Sequence, residues 1–203
     1  MLVTSAPLPP PTDLPLITDF TQVIDIGCTG CSTSFDGSTD TLTATIAGGA
    51  DTLDTAYGLK DFGDTSGWSG RTYARVYMSF PTVQTLNANV AVFHVRDTSD
   101  SLIYELWLSS SRQLCLYSPP GGLQSARTLQ CSTAVIPNAG STTRVEVSAL
   151  SNNSIIIRVG GVDTLIVNGL SGAPNHSARY IRAGIDHYDT STTNEQIKFS
   201  LSQ

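Results

Sequence analysis

Short segments in which apolar and polar residues alternate recur along this chain, with turn residues between them. In the segment 71–80, RTYARVYMSF, Ala74, Val76 and Met78 would face one side of a strand and Tyr73 and Arg75 the other. The same alternation appears in NANVAVFHVRD, LIYELWL, TRVEVSAL and YIRAGIDH. A repeat of two residues is typical of a strand with one buried face, and no segment carries the sustained apolar stripe of a helix. The sequence therefore predicts an all-β protein.

The number of predicted strands decides the architecture. About a dozen strands would leave one face of a single open sheet wet, so we expect two antiparallel sheets packed face to face. Gly160 and Gly161 lie where a two-residue hairpin turn needs positive φ. We predict one sandwich domain over residues 20–203. Residues 1–19 are rich in proline, which favours an extended arm that either packs on a partner or is a disordered tail.

The charge balance excludes several kinds of partner. The chain has 11 Lys and Arg against 17 Asp and Glu, and its net charge is -6. So few cations do not neutralise a phosphate backbone, and neither nucleic acid nor an anionic membrane surface is expected as a partner. No apolar run is long enough to cross a bilayer, and the first residues lack the charged and apolar regions of a secretory leader.

Four cysteines bear on the compartment. Cys28 and Cys31 form CTGC, and Cys115 and Cys131 flank a loop that contains two prolines and two glycines. A zinc ribbon needs two tight knuckles, and only the first pair has that spacing. We expect two local disulfides instead, the second of which joins neighbouring strands and contributes about 3 kcal/mol. Because disulfides persist outside the reducing cytosol, we expect either a chain trimmed of its leader or a virion component released by lysis.

The order of strands and turns from residue 20 to residue 201 resembles a known family. The succession AYGLKDFGD, GRTYARVYMSF, VAVFHVRD, LIYELWLSSSRQLCLYS, TRVEVSA, IIIRVGGVDTLIV and YIRAGID is similar to concanavalin A-like lectin/glucanase sandwiches of the LamG-like type. The resemblance implies a jelly roll with one concave and one convex sheet, a fold used by lectins, carbohydrate-binding modules, glycosidases, polysaccharide lyases and phage surface or tail proteins. The Pro-rich start running into PLITDF also resembles the start of small phage tail or virion-surface proteins.

Three segments resemble the signatures of alginate-lyase-like jelly rolls. RTYAR is similar to an RTELR-like strand, but Tyr73 replaces the acid. His94 lies where a QIH-like strand would place its histidine, but Val92 replaces the glutamine. YIRAGIDHYD resembles a YxKxGxYxQ-like strand, yet Asp186 replaces the catalytic tyrosine. For a lyase, the resemblance implies the catalytic residues Arg71, His94, Arg182 and Tyr188.

The chemistry of β-elimination explains why these replacements matter. The reaction needs a cation that neutralises the uronate carboxylate and a base within hydrogen-bond reach of the C5 proton. The arginines could supply the cation, but Asp186 in the position of the base would set an anion against an anionic sugar. Retaining glycosidases need two carboxyl groups about 5 Å apart, whereas Glu105 and Glu146 each stand alone in their strands. The sequence therefore favours a non-catalytic protein.

A glycan site would need aromatic rings and polar groups on a sheet face or loop rim. The candidates are Trp68, Tyr73, Arg75, Tyr77, Tyr104, Tyr180, Arg182, Asp186 and Tyr188. The alternative is that the aromatic residues only pack across strands. No metal site and no cofactor are predicted, although calcium is left open at the acidic turns DFGD (Asp61, Asp64) and DTSD (Asp97, Asp100).

These observations lead to one predicted function and two alternatives. We predict a non-catalytic jelly-roll module for extracellular attachment or assembly, with a phage virion or tail surface as its setting. Its partners would be a cell-surface glycan or other virion or surface proteins, and a homo-oligomer is left open. The alternatives are a polysaccharide lyase of the alginate-lyase-like type and a secreted bacterial carbohydrate-binding module. The prediction depends on the polar residues of segment 180–188 lining a sheet face instead of converging on a reacting atom.

Overall fold

The computed structural model describes a series of ranges in the chain. These are residues 20–26, 31–46, 55–63, 72–81, 86, 88–100, 102–118, 128–137, 139, 141–150, 154–168, 178–188 and 195–200. Within these ranges the chain forms strands and turns only, and no helix is long and apolar enough to span a membrane. The all-β prediction is confirmed.

The strands assemble into two antiparallel sheets. The strands are β1 (Gln22–Ile26), β2 (Ser32–Asp36), β3 (Thr41–Ile46), β4 (Thr55–Asp61), β5 (Thr72–Ser79), β6 (Val90–Asp97), β7 (Leu102–Leu108), β8 (Gln113–Ser118), β9 (Thr128–Val135), β10 (Thr143–Leu150), β11 (Ser154–Val159), β12 (Val162–Val167), β13 (Ala178–Tyr188) and β14 (Glu195–Ser200). Sheet I has the order β12-β11-β10-β5-β14-β3-β2, and sheet II has the order β1-β4-β13-β6-β7-β8-β9. β6, which carries His94, and β13, which carries Tyr180, Arg182, Asp186 and Tyr188, are neighbours in sheet II.

The hydrophobic core lies between the sheets and follows the predicted alternation. From β5 of sheet I, Ala74 and Val76 are buried in the core, whereas Arg75 between them is exposed. From β13 of sheet II, Ile181 and Ala183 are buried in the same core. Strand pleating therefore sends the intervening polar side chains away from the core. We call the side of each sheet that faces away from the core its outer face.

β6 departs from the regular alternation that its sequence predicts. The pattern placed Val92 and His94 on one face and Phe93 on the other. Val92 and Phe93 both pack in the core, however, because the pairing with β7 shifts register between Ala91 and Phe93. A bulge of this kind reverses the facing of the residues that follow it. It turns His94 to the outer face of sheet II.

The predicted hairpin turn is present between β11 and β12. Gly160 and Gly161 have φ angles of 63° and 85°, and Val159 pairs with Val162 across the turn. Positive φ at both central residues is what a tight hairpin turn requires, and glycine adopts it without strain. The prediction made from the glycine pair is confirmed.

A disulfide bond joins Cys115 in β8 to Cys131 in β9, as predicted. The two cysteines are direct partners in the ladder between these strands. Cys31 is also disulfide-bonded, whereas its predicted partner Cys28 lies outside the described residues. On the outer face of sheet II, Cys115 and Cys131 pack with Trp107 in a small apolar cluster. The disulfide therefore belongs to the same face as the polar candidates.

A second bulge lies in β13 at Gly184. Ala183 pairs with Phe93 of β6, and an unbroken ladder would then set His187 opposite Asn89; it lies opposite Ala91 instead. Gly184 has a φ of 136°, a conformation that L-residues rarely adopt. A Cβ atom at this position would overlap the backbone of β4, lying 2.7 Å from the Cα of Tyr57. Glycine is thus required here by its backbone conformation and by the close approach of β4.

We expect Gly184→Ala to destabilise the protein by about 2–4 kcal/mol, because it combines backbone strain with a clash against backbone atoms that do not move aside easily. Gly160→Ala is the matched control, since Gly160 also has positive φ but has no atom within 4 Å of the added Cβ. Its expected cost is about 1 kcal/mol. Urea unfolding of both variants measures the difference, and equal costs would show that the contact with β4 is unimportant.

Candidate functional site

A polar cluster on the outer face of sheet II contains the candidate functional residues. His94 in β6 lies between β7 and β13, with Glu105 as its cross-strand partner on one side and Arg182 on the other. Asp186 also reaches this cluster, because the bulge at Gly184 advances it along β6. His94, Glu105 and Asp186 are all buried. The structure therefore brings together three groups that can exchange protons.

The imidazole of His94 lies between the two carboxylates. Its Nε2 atom is 3.0 Å from Oε1 of Glu105, and its Nδ1 atom is 3.6 Å from Oδ2 of Asp186. An imidazolium can donate an N–H toward each carboxylate, whereas a neutral imidazole can donate toward only one of them. A carboxylate therefore lies within ion-pair distance of each ring nitrogen.

Each carboxylate is held by a further donor. The indole Nε1 of Trp107 donates to Oε2 of Glu105 at 2.7 Å. On the other side, Nη1 of Arg182 lies 3.4 Å from Oδ1 of Asp186. The guanidinium of Arg182 also lies over the ring of Tyr57, 5.2 Å from its centroid. Burial raises the pKa of Tyr57, and the positive charge of Arg182 opposes this effect. The cluster is a connected network with its orientation fixed on both sides.

His94, Glu105 and Asp186 each have one possible metal-ligating atom, and these three atoms lie within 4.8 Å of one another. Such distances are short enough for the three residues to share a metal ion. A metal ion would have to bind one imidazole nitrogen with both carboxylates on the same side of the ring. Here Glu105 and Asp186 face opposite nitrogens of His94. The arrangement fits shared protons better than a metal ion.

The buried trio is bordered by a more exposed group of charged side chains. Asp100, in the turn after β6, is 57% exposed and lies 3.6 Å from Nη1 of Arg96 and 3.7 Å from Nη2 of Arg182. Tyr180 is half-buried and pairs with Arg96 across the ladder. We call Tyr180, Arg96, Arg182 and Asp100 the rim. It combines an aromatic ring with hydrogen-bond donors and acceptors that solvent can reach.

The acidic turns considered for calcium are occupied by other interactions. Asp61 accepts two hydrogen bonds from the guanidinium of Arg179, at 2.9 and 3.0 Å, and these bonds hold the pKa of Asp61 below its usual value. Oδ1 of Asp97 accepts from the backbone N–H of Ser99, while Asp100 belongs to the rim. Asp64 lies outside the described residues. A calcium ion at Asp61 or Asp100 would compete with a guanidinium for the carboxylate, and calcium at these turns stays an open alternative.

The RTYAR segment does not contribute to this site. β5 lies in sheet I, so Tyr73, Arg75 and Tyr77 are on the opposite side of the sandwich from His94 and Arg182. There the hydroxyl of Tyr73 donates to Glu146, and burial and then this bond raise the pKa of Tyr73. The resemblance of RTYAR to a lyase strand implied that this segment shares a sheet face with His94 and Arg182, and that expectation is wrong. Of the four residues proposed for a lyase, His94 and Arg182 are the ones whose side chains the structure describes, and they are cross-strand partners.

The remaining candidates divide into three groups. Tyr104 is fully buried in the core between the sheets, so its assignment to a glycan site is wrong. Trp68 and Arg71 lie outside the described residues. Tyr188 ends β13, and only its backbone, paired with Val90, is described. Tyr180, Arg182 and Asp186 are the predicted candidates that the structure places together on the outer face of sheet II.

Sequence reasoning missed the role of Glu105, although a signal was present. The turn 98–101 joins β6 to β7. His94 is the fourth residue before this turn and Glu105 is the fourth residue after it, so a regular hairpin pairs the two residues, as observed. The contribution of Tyr57 carried no comparable signal, because β4 is far from β13 in sequence. The approach of Asp186 depends on the bulge at Gly184, which the alternation pattern did not predict.

Comparisons with known proteins identify the fold and no family. No protein-family model matches the chain, and no curated protein matches its sequence. Among solved structures, the cellulose-induced protein Cip1 has a TM-score of 0.58 and 13% identity, with coverage of 85% of this chain and 84% of that protein. The alginate lyase AlgAT5 from polysaccharide lyase family 7 has a TM-score of 0.52 and 14% identity, covering 83% and 79%.

A third similar structure is that of botulinum neurotoxin type C, whose cell entry is described as dependent on interaction with two ganglioside molecules. It has a TM-score of 0.56 and 9% identity, with coverage of 88% of this chain and 41% of the toxin chain. At such low identities the likeness shows the fold alone. The chain is a jelly-roll β-sandwich, as predicted; the LamG-like and phage assignments stay predictions.

We expect His94→Phe to reduce stability by about 3–5 kcal/mol, because the change takes the imidazole nitrogens away from two buried carboxylates, and a buried charge that loses a partner is costly. The cost should fall by more than 1 kcal/mol when the same change is made in a background of Glu105→Gln and Asp186→Asn, as expected for groups that interact directly. Urea unfolding of the four proteins measures this coupling. Equal costs in the two backgrounds would show that His94 acts through packing alone.

Proposed function

We propose that this chain is a non-catalytic carbohydrate-binding module whose binding surface is the rim on the outer face of sheet II. The observation that carries the proposal is that half-buried Tyr180 pairs with Arg96 across the ladder, while the exposed carboxylate of Asp100 lies 3.6 Å from Arg96 and 3.7 Å from Arg182. Sugar recognition combines an aromatic surface for the apolar side of the ring with planar polar groups for its hydroxyls. The rim supplies both.

The ring of Tyr180 is held in a fixed orientation. The guanidinium of Arg179 lies over it at 4.8 Å from the centroid, and the same guanidinium is bonded to Asp61. A sugar would stack on the other side of the ring. A ring that is already ordered loses little conformational entropy on binding, which favours affinity.

The buried trio supports a binding function over a catalytic one. A general base must have a nitrogen or oxygen within hydrogen-bond reach of the substrate proton. Both ring nitrogens of His94 face carboxylates, and the residue is 1% exposed. The solved structures that share this fold include a polysaccharide lyase, but also proteins described as cellulose-induced and ganglioside-interacting. The fold is therefore compatible with sugar binding in the absence of catalysis.

We expect the protein to bind a subset of immobilised polysaccharides and glycans, and Tyr180→Ala to weaken that binding at least tenfold, equivalent to about 1.4 kcal/mol. The control is Tyr73→Phe, which keeps a ring in sheet I and changes a residue on the opposite side of the sandwich. A glycan array followed by isothermal titration calorimetry on the bound species measures the effect. Equal affinity of the Tyr180→Ala variant for its glycan would contradict the rim as the binding surface.

The same glycans allow a test of the lyase alternative. His94 and Arg182 are neighbours on this face, an arrangement that is also compatible with a lyase. Incubation with uronate polymers should give no rise in the absorbance of the unsaturated product. A rise that disappears in a His94→Gln variant would overturn the non-catalytic proposal and establish the lyase.

We propose an extracellular setting, with attachment or assembly at a virion or phage-tail surface as the role of the module. The disulfide between Cys115 and Cys131 supports a location outside the reducing cytosol. Net charge and the acidic pI near 4.8 accord with protein or glycan partners more than with nucleic acid. A homo-oligomer, or contact with other surface proteins, would supply the multiple copies that weak glycan sites need for avidity.

Mass spectrometry of purified particles and of particle-free culture medium tests this setting. We expect the chain to be enriched in the particles, with Cys115 and Cys131 resistant to alkylation until a reductant is added. Enrichment in particle-free medium would favour a secreted bacterial carbohydrate-binding module instead. Recovery in the cytosol with all four cysteines alkylated would contradict both settings.

A further inference from the structure

A shallow, open cavity of about 440 Å³ lies on the outer face of sheet I, on the side of the sandwich opposite to the rim. It is lined by Tyr77 from β5, by Thr142, Thr143 and Arg144 at the start of β10, and by Gly160 from the turn between β11 and β12. Tyr77 and Arg144 are direct partners in the ladder between β5 and β10. An aromatic ring and a guanidinium therefore line the same opening.

The side chain of Arg144 is fixed on two sides. Its Nε atom lies 3.4 Å from Oε2 of Glu146, and its guanidinium rests against the backbone of Gly161, where any Cβ atom would overlap Nη2. The turn itself is tied to β10, since the N–H of Gly160 donates to the carbonyl oxygen of Arg144 at 2.8 Å. Glycine at position 161 thus makes room for the guanidinium. Arg144 is still 40% exposed.

Positive charge is in excess around this cavity. Glu146 is the one carboxylate within ion-pair distance of Arg144 among the described residues, and it is shared with Arg75, whose Nη2 atom lies 3.3 Å away. Two guanidinium groups thus face one carboxylate. The next arginine on this face, Arg158, has its own partner in Asp163. In a chain with a net charge of -6, such a local excess of cations favours an anionic ligand.

We propose that this cavity is a second binding site, independent of the rim, for a carboxylate-bearing sugar such as the terminal acidic residue of a glycan. The guanidinium of Arg144 receives the carboxylate, because its planar donors match that group. The sugar ring lies against Tyr77, whose hydroxyl makes no hydrogen bond to any residue that the structure describes. The hydroxyls of Thr142 and Thr143 are available for the hydroxyl groups of the sugar.

The test uses three monosaccharide probes: N-acetylneuraminate, D-glucuronate and the neutral D-glucose. Binding to the full chain is followed by saturation-transfer NMR and by calorimetry in 0.15 M salt. We expect at least one acidic probe to bind and glucose to bind at least tenfold more weakly. Which acidic probe binds distinguishes a sialic acid from a uronic acid as the natural source of the carboxylate. Failure of both acidic probes to bind would overturn the proposal.

Matched variants assign any binding to the cavity. Arg144→Gln should reduce affinity for the acidic probe at least tenfold, and Tyr77→Ala about threefold or more. Arg158→Gln is the control, because it removes the same charge from the same face without changing a residue that lines the cavity. Thermal unfolding of each variant verifies that it folds. Equal losses for Arg144→Gln and Arg158→Gln would show general electrostatic attraction and overturn the site.

These experiments test the proposal for the cavity and the proposal for the rim independently. Binding of an acidic sugar that persists in Arg144→Gln but is lost in Tyr180→Ala would overturn the second site and assign the ligand to the rim. Binding that is lost in Arg144→Gln and retained in Tyr180→Ala supports the second site whatever happens to the proposal for the rim.

Discussion

The requirement that buried charge be neutralised governs the arrangement of sheet II. Glu105 and Asp186 are nearly buried, and a buried carboxylate without a partner would cost several kcal/mol. His94 lies between them, while Trp107 and Arg182 hold their remaining oxygens. These five residues come from three adjacent strands. Their side chains link β13, β6 and β7 across the outer face of sheet II, next to the more exposed rim that we propose binds sugar.

This arrangement also sets a buried group and an exposed group of polar side chains next to each other on one face of the fold. A histidine beside arginines in a jelly roll is compatible with acid–base chemistry, but here both nitrogens of His94 are already directed at carboxylates. The four residues of the rim are more exposed than the trio beside them. Internal pairing stabilises the buried part of the face, and the exposure of the rim leaves its paired groups accessible to a ligand.

On the opposite face of the sandwich, a buried carboxylate is also neutralised by neighbouring donors, but the balance of charges is different. On sheet I the single carboxylate of Glu146 faces Arg75, Arg144 and the hydroxyl of Tyr73. Donors outnumber acceptors there, whereas in the buried trio of sheet II the carboxylates outnumber the imidazole between them. A jelly roll can thus present two chemically distinct surfaces, because each sheet has its own outer face and the core between them is apolar.

The sequence alone determined the class of fold, the antiparallel pairing, the turn at Gly160 and Gly161 and the disulfide between Cys115 and Cys131, because alternation and turn chemistry are local properties. It could also have placed His94 opposite Glu105, since a short turn fixes the register of a hairpin. The tertiary structure decided which strands share a sheet, and so separated Arg75 from His94. It also decided the bulge at Ala91, in the pairing of β6 with β7, and the bulge at Gly184, where β13 meets the sequence-distant strand β4; the alternation pattern predicts neither, and together they bring His94 and Asp186 close.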